Sequence, residues 1–128
     1  MHKDSTFVTK LQKFRNEAAE AQHWLCCYCR LPMGGEGSPW RWTLEPLGKA
    51  FEASAEHLVP RCDGGQDTRG NIAAAHVRCN QRRHRRRRVM TPERFATFVQ
   101  RRIASGRWFC REVFEPLRSL AGSVSVSN

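Results

Sequence analysis

The absences in this chain narrow it first. No apolar run is long enough to cross a bilayer, and the opening MHKDSTFV lacks the apolar stretch of a signal peptide. No membrane partner is therefore expected, and the chain is assigned to the cytoplasm. Without a secretion signal, the six cysteines (26, 27, 29, 62, 79 and 110) do not read as a disulfide framework. Their spacing points to metal instead. There is no internal repeat. Residues 76–128 contain no lysine and only three acidic residues, against thirteen arginines. Residues 1–75 hold nine basic and nine acidic residues, so the net charge of +10 resides wholly in the second part. A field this lopsided attracts phosphate backbones. With 128 residues the chain suits one domain, or one small domain with extensions. A core of that size gains from a staple such as a metal.

Phe7, Leu11, Phe14, Ala18, Ala21 and Leu25 recur every three to four positions, which predicts an amphipathic helix over 5–25 with this stripe in the core. LPMGGEGSPWRW (31–42) reads as a loop, since three glycines and two prolines fall in twelve residues. Trp40, Arg41 and Trp42 within it either stack on bases or lie on the core. AFEASAEHLVP (50–60) alternates as a strand closed by Pro60, and RCDGGQDTRGN (61–71) follows as a turn-rich loop. IAAA (72–75) is a short strand or the opening of a helix, and 77–88 reads as helical. Thr91-Pro92-Glu93 marks another helix start, with a capping hydroxyl and proline at the first helical position. Phe95, Phe98, Val99 and Ile103 form the apolar face of that helix and Gly106 ends it. Residues 107–118 are apolar enough to pack, in a form the pattern leaves open.

Cys26 and Cys29 form a Cys-x-x-Cys pair, and His76 and Cys79 supply a second pair at the same spacing. Two such knuckles make the closed tetrahedral site that Zn²⁺ favours. Cys27 can replace a ligand by a one-residue slip, but Cys27 to Cys29 is the poorer knuckle. Cys62 and Cys110 have no partner at ligand spacing and read as plain thiols.

Between the knuckles lie Glu56-His57 and Asn71. Asn80 directly follows a candidate zinc ligand, and His84 stands one helical turn further on. This order resembles the HNH endonuclease family. The stretch AEHLVPRCDGGQDTRGNIAAAHVRCN is similar to its zinc-containing branch, which reads Asp/Glu-His, a Gly-Gly loop, Asn, then Cys-x-x-Cys-Asn. The resemblance covers about 24–88. It implies a small ββα-metal (HNH) core stapled by a structural zinc at Cys26, Cys29, His76 and Cys79; outside the resemblance the pattern adds an N-terminal helix (1–25), a C-terminal helical extension (89–120) and a disordered tail (121–128), so the whole is expected to be α+β. It also implies site roles: His57 as general base, Asn71 as brace of the loop and the His backbone, and Glu56 and Asn80 on a catalytic cation. His84 matches a position where some members place a further metal or phosphate ligand. Glu56 replaces the commoner Asp, and His76 replaces a Cys. The spacing from Cys29 to His57 exceeds the family's, so GGEGSPWRWTLEPLG reads as an insertion.

Elementary chemistry favours the same groups. Phosphodiester hydrolysis needs a nucleophile, a Lewis acid and cations around the phosphate. An imidazole can take a proton from water near neutral pH. Glu56 and Asn80 offer hard oxygen donors, which suit Mg²⁺ or Mn²⁺. The run RRHRRRR supplies Arg82, Arg83, Arg85, Arg86, Arg87 and Arg88 as phosphate-binding groups. The expectation is a metal-dependent HNH endonuclease acting on double-stranded DNA, and the family resemblance implies that it leaves 5′-phosphate and 3′-hydroxyl ends. Its rivals are a non-catalytic, zinc-stapled DNA- or RNA-binding module and a basic RNA-associated protein.

Overall fold

The computed structural model describes residues 8–122. Helix α1 spans Lys10–Ala21, and Thr9 opens it through a reciprocal capping box with Gln12. Positive φ angles at His23 and Trp24 (58° and 59°) then swing the chain back on itself. Phe7 of the predicted stripe lies outside the described residues. The buried position of α1 is Ala19, with Trp24 just beyond, while Ala21 is exposed. The predicted stripe thus fails at Ala21, the last residue of α1, which faces solvent while Ala19 is buried.

Leu25 and Pro32 form an isolated bridge, and Cys26–Leu31 turn tightly between them with Arg30 at φ 63°. The next segment is not the open loop its glycines suggest, because Leu31, Pro32, Met33 and Gly34 are all buried. Helix α2 (Arg41–Leu44) and two 3-10 turns lead onward. The aromatic pair divides there: Trp40 packs partly on the core, whereas Trp42 is 71% exposed beneath the Arg41 guanidinium.

Strands β1 (Ala53–His57) and β2 (Ile72–His76) pair antiparallel, with Glu56 opposite Ala73 and His57 opposite Ile72. IAAA is thus a strand, and its small residues let α1 lie close: the Gln22 side chain bonds both N–H and C=O of Ala74, standing in for a neighbouring strand. Helix α3 (Val77–His84) follows β2 without a loop. It stops four residues short of the predicted end, with Arg85 as its C-cap.

Helix α4 (Pro92–Ala104) starts at the predicted Thr91 cap, and Thr91 accepts from the Arg94 N–H. Helix α5 (Arg111–Ala121) gives 107–118 its form, and it runs on to Ala121, the first residue of the expected tail. Residues 123–128 of that tail lie outside the described residues. Phe95, Val99, Trp108, Phe109 and Leu117 join Tyr28, Phe51 and the sheet alanines in a shared core. The Tyr28 and Phe95 rings meet edge to face at 4.9 Å. Mixed helix with a two-stranded antiparallel sheet is the α+β class expected. No helix among the described residues is long and apolar enough to cross a membrane.

Candidate metal centre and active site

Cys26, Cys29, His76 and Cys79 are all buried, and their ligating atoms lie within 4.8 Å of one another. These four residues are positioned for a zinc site. A tetrahedron with bonds of about 2.3 Å has edges of about 3.8 Å, and Cys29 Sγ and Cys79 Sγ lie 3.2 and 3.9 Å from His76 Nδ1. The opposite ring nitrogen, Nε2, donates to the Pro32 carbonyl at 2.8 Å. A carbonyl can only accept, so Nε2 carries the hydrogen and the Nδ1 lone pair faces the sulfurs, the arrangement a metal requires. The backbone N–H groups of Tyr28 and His76 both donate to Cys26 Sγ at 3.4 Å.

Burial opposes a thiolate at Cys26. Hydrogen bonds from the Cys29 and Cys79 thiols, with His76 beside them, outweigh it and hold Cys26 well below an ordinary thiol. Burial pushes Cys29 up, and Cys79 rises chiefly through its bond to Cys26. Cys27 has its N–H on Ala74 O and a thiol pushed far up by burial, so the slipped ligand register is not the one adopted. Cys62 and Cys110 are exposed thiols.

The second constellation lies where α3 crosses the face of β1 that carries Ser54 and Glu56. Glu56 is fully buried. Its Oε2 accepts from the Tyr28 hydroxyl at 2.5 Å and from Arg83 Nη1 at 2.7 Å. Its Oε1 stands 2.8 Å from His84 Nε2, and His84 remains 30% exposed. Asn80 directs Nδ2 to Ser54 Oγ and the Ala55 carbonyl at 3.1 and 3.0 Å, which turns its Oδ1 away from β1's backbone. Burial, then the adjoining Glu56, pushes the Tyr28 hydroxyl far above an ordinary phenol, so it stays protonated and donates.

A divalent cation fits this donor set. Two cis ligands at about 2.1 Å from an octahedral ion lie about 3.0 Å apart; Glu56 Oε1 and His84 Nε2, hydrogen-bonded to each other at 2.8 Å as they stand, are near that spacing and would exchange this bond for the ion. Carboxylate and amide oxygens with one imidazole suit Mn²⁺ or Mg²⁺.

His57 is the last residue of β1 and, by alternation, points from the opposite face to Glu56. Its Nε2 bonds Asp67 Oδ1 at 2.7 Å, rather than Glu56, Asn80 or His84. Asp67 also accepts from Arg61 Nη2 at 3.1 Å on each carboxylate oxygen. The His57 bond first, and Arg61 after it, hold the Asp67 carboxyl below its usual range. Asn71 clips the intervening loop: its Oδ1 accepts from Val59 N, its Nδ2 donates to Val59 O and Gln66 O, and its own carbonyl accepts from Leu58 N. Gly65 is obligatory in that loop, since a Cβ there would lie 1.7 Å from Val59 O.

The arginines divide. Arg83 departs from the expected phosphate-binding set: it is 1% exposed, and besides Glu56 it bonds the carbonyls of His57, Leu58 and Met90. It is a buried structural cation with no surface to offer a phosphate. Arg82 lies over Trp108 at 4.9 Å and Arg86 over Phe98 at 4.8 Å. Arg85, Arg86, Arg87 and Arg88 are exposed. Asp67, Tyr28 and the inward Arg83 are the groups sequence reasoning misses. Asp67 and Tyr28 lie inside the motifs, but nothing in their spacing marks them.

Residues 45–86 match the family model of the HNH endonucleases, and they form an HNH domain comprising β1, β2 and α3. Comparisons with curated proteins and with solved structures find no match.

Proposed function

We propose that this protein is a metal-dependent endonuclease that hydrolyses phosphodiester bonds in double-stranded DNA. The observation that carries the reading is the convergence of Glu56 Oε1 and His84 Nε2 to 2.8 Å on the helix that also carries Asn80. A carboxylate, an amide and an imidazole brought together at the open end of α3 are the groups that metal-assisted hydrolysis requires. Glu56, Asn80 and His84 would hold Mg²⁺ or Mn²⁺, which when bound supplies a Lewis acid for the charge developing on the phosphate and the leaving 3′-oxygen. Glu56 and His57 can serve one phosphate because β1 ends at His57, whose ring then lies at the strand's edge; there it would take a proton from water, the resulting hydroxide attacks phosphorus, and the P–O3′ bond breaks with solvent protonating the 3′-oxygen. Tyr28 and Arg83 occupy Glu56 Oε2 and so present Oε1 to the site. Asn71 keeps the turn after His57 in place. Arg85, Arg87 and Arg88, with Arg82 and Arg86 braced on aromatic rings, supply positive charge for the backbone.

Zn²⁺ at Cys26, Cys29, His76 and Cys79 would tie the 20s to the 70s, and so fix Tyr28 against Glu56. A reducing cytoplasm is the compartment that suits six cysteines with no disulfide among them. The unit 24–88 carries the chemistry, and α1 with the 89–120 extension completes its core.

One observation favours a binding-only module: Glu56 is wholly buried and already paired with Arg83. Supercoiled plasmid incubated with Mg²⁺ or Mn²⁺, beside His57→Ala, separates the two. Cleavage by the wild type, reduced about 10²–10⁴-fold in the variant with DNA affinity retained, is expected for loss of a base. Tight DNA binding by both without cleavage under any divalent cation makes the protein a binding module.

A further inference from the structure

Of the loop between β1 and β2, the nuclease reading uses Asn71 but leaves its one carboxylate against the His57 ring without a task. We propose that Asp67 is the positioning residue for His57, fixing its ring orientation and its tautomer so that Nδ1 is the nitrogen that receives the proton from water. The proposal rests on the reading of His57 as base.

The geometry is specific. A carboxylate can only accept, so the 2.7 Å contact places the ring hydrogen on Nε2 and leaves Nδ1 as a bare lone pair. When Nδ1 gains a proton, the ring becomes an imidazolium whose Nε2–H still points at a negative group. Asp67 is then better matched to the product of proton transfer than to the resting ring. The His57 side chain is only 14% exposed, so the bond lies largely out of water, while Asp67 is 40% exposed at its outer edge. Arg61 braces that outer edge through Nη2 to both oxygens. It also balances a negative charge that would otherwise face incoming phosphate.

The loop is built to hold this pair. Gly65 N–H and Asp63 N–H both donate to Pro60 O, and Asn71 ties Gln66 O, next to Asp67, to Val59, two residues beyond His57. The two ends of the His57–Asp67 bond are thus fastened to each other through a single side chain. A surface ion pair free to wander would need none of this.

The test uses the whole 128-residue chain as purified with its metal. Asp67→Asn preserves size but can turn its amide N–H toward Nε2, which stabilises the wrong tautomer. Ring ¹⁵N NMR of histidine-labelled protein should show the Nε2–H tautomer for His57 in the wild type and its loss or mixing in Asp67→Asn. Plasmid cleavage in Mn²⁺ should show kcat lower by about 10–100-fold, the usual effect of removing an orienting partner, with KM not raised and Tm unchanged. Asp67→Glu should restore part of kcat. Wild-type kcat and an unchanged His57 tautomer in Asp67→Asn would overturn the proposal, and an inactive His57→Ala control would then leave the nuclease reading standing. A His57→Ala protein as fast as wild type removes the base itself, and the proposal falls with it.

Discussion

Arg83→Met tests the buried centre most directly. The change keeps a long side chain but removes four hydrogen bonds: Glu56 Oε2 at 2.7 Å, His57 O at 3.0 Å, Leu58 O at 2.9 Å and Met90 O at 3.0 Å. It also strands a carboxylate that is 0% exposed. Removing one partner of a buried ion pair costs about 3–5 kcal/mol, because the remaining charge is left uncompensated and cannot reach water. With a urea m-value of about 2 kcal/mol/M, the unfolding midpoint should fall by about 1.5–2.5 M. Zinc must be kept constant, since its loss would add a second transition. Arg85→Met, close by in the chain yet exposed, should move stability by no more than about 0.5 kcal/mol. The double variant Arg83→Met/Glu56→Gln should recover part of the loss, since deleting both charges leaves no stranded ion. Equal midpoints for Arg83→Met and Arg85→Met would refute the burial of this pair and return Arg83 to the surface set.

Three further outcomes follow from the geometry. Elemental analysis should find about one tightly held Zn²⁺ per chain, and Cys29→Ser or Cys79→Ser should yield unfolded or insoluble protein, because structural zinc binding is folding energy; zinc-free, fully folded wild type contradicts this. Neutralising Arg85, Arg87 and Arg88 together should weaken DNA binding regardless of sequence and lower the log–log salt slope by about 0.9 for each phosphate no longer neutralised; an unchanged slope means these side chains face solvent or another protein. Gly65→Ala should open the His57–Asp67 loop at a cost of about 1–3 kcal/mol for the clash with Val59 O, and denaturant titration beside plasmid cleavage should show stability and kcat falling together.

Local patterns make much of the frame legible. Two Cys/His knuckles, the Thr91-Pro92 cap and the alternation before Pro60 each depend on short-range chemistry, so each can be read from neighbouring residues. Pairings between distant segments cannot. Tyr28 meets Glu56 across 28 positions, and Gln22 meets Ala74 across 52. Asp67 reaches His57 only because Gly65 and Asn71 fold the loop back, and in sequence it is one polar residue among several. The boundary errors share a cause. Ala21 fits the helical period yet sits in the last turn of α1, where no partner covers it, and Leu31–Gly34 reads as open although glycine and proline also serve in tight buried turns.

The arginine run shows why composition alone misassigns roles. Residues 82–88 read as seven equivalent positions, six of them cationic, yet a helix in contact with a sheet cannot treat them alike. Successive positions rotate by about 100°, so Arg83 faces inward to Glu56 while Arg82, one step back, meets Trp108. Arg78, Arg82 and Arg86, four apart, lie along one side and rest on Phe109, Trp108 and Phe98 respectively. Those rings come from α4 and the turn after it, so cation–π contacts with α3 add to the apolar core that already joins the extension to the rest. The docking leaves the guanidinium edges available while the aliphatic stems are covered. A cation held in place this way loses less freedom on meeting a phosphate than one on a mobile tail. On the proposed nuclease reading, Phe98 and Trp108 would therefore help present Arg82 and Arg86 to a phosphate backbone, although both rings lie outside residues 45–86. Deleting 89–128 should cost both the fold of the core, through Phe95 and Trp108, and the ordering of Arg82 and Arg86.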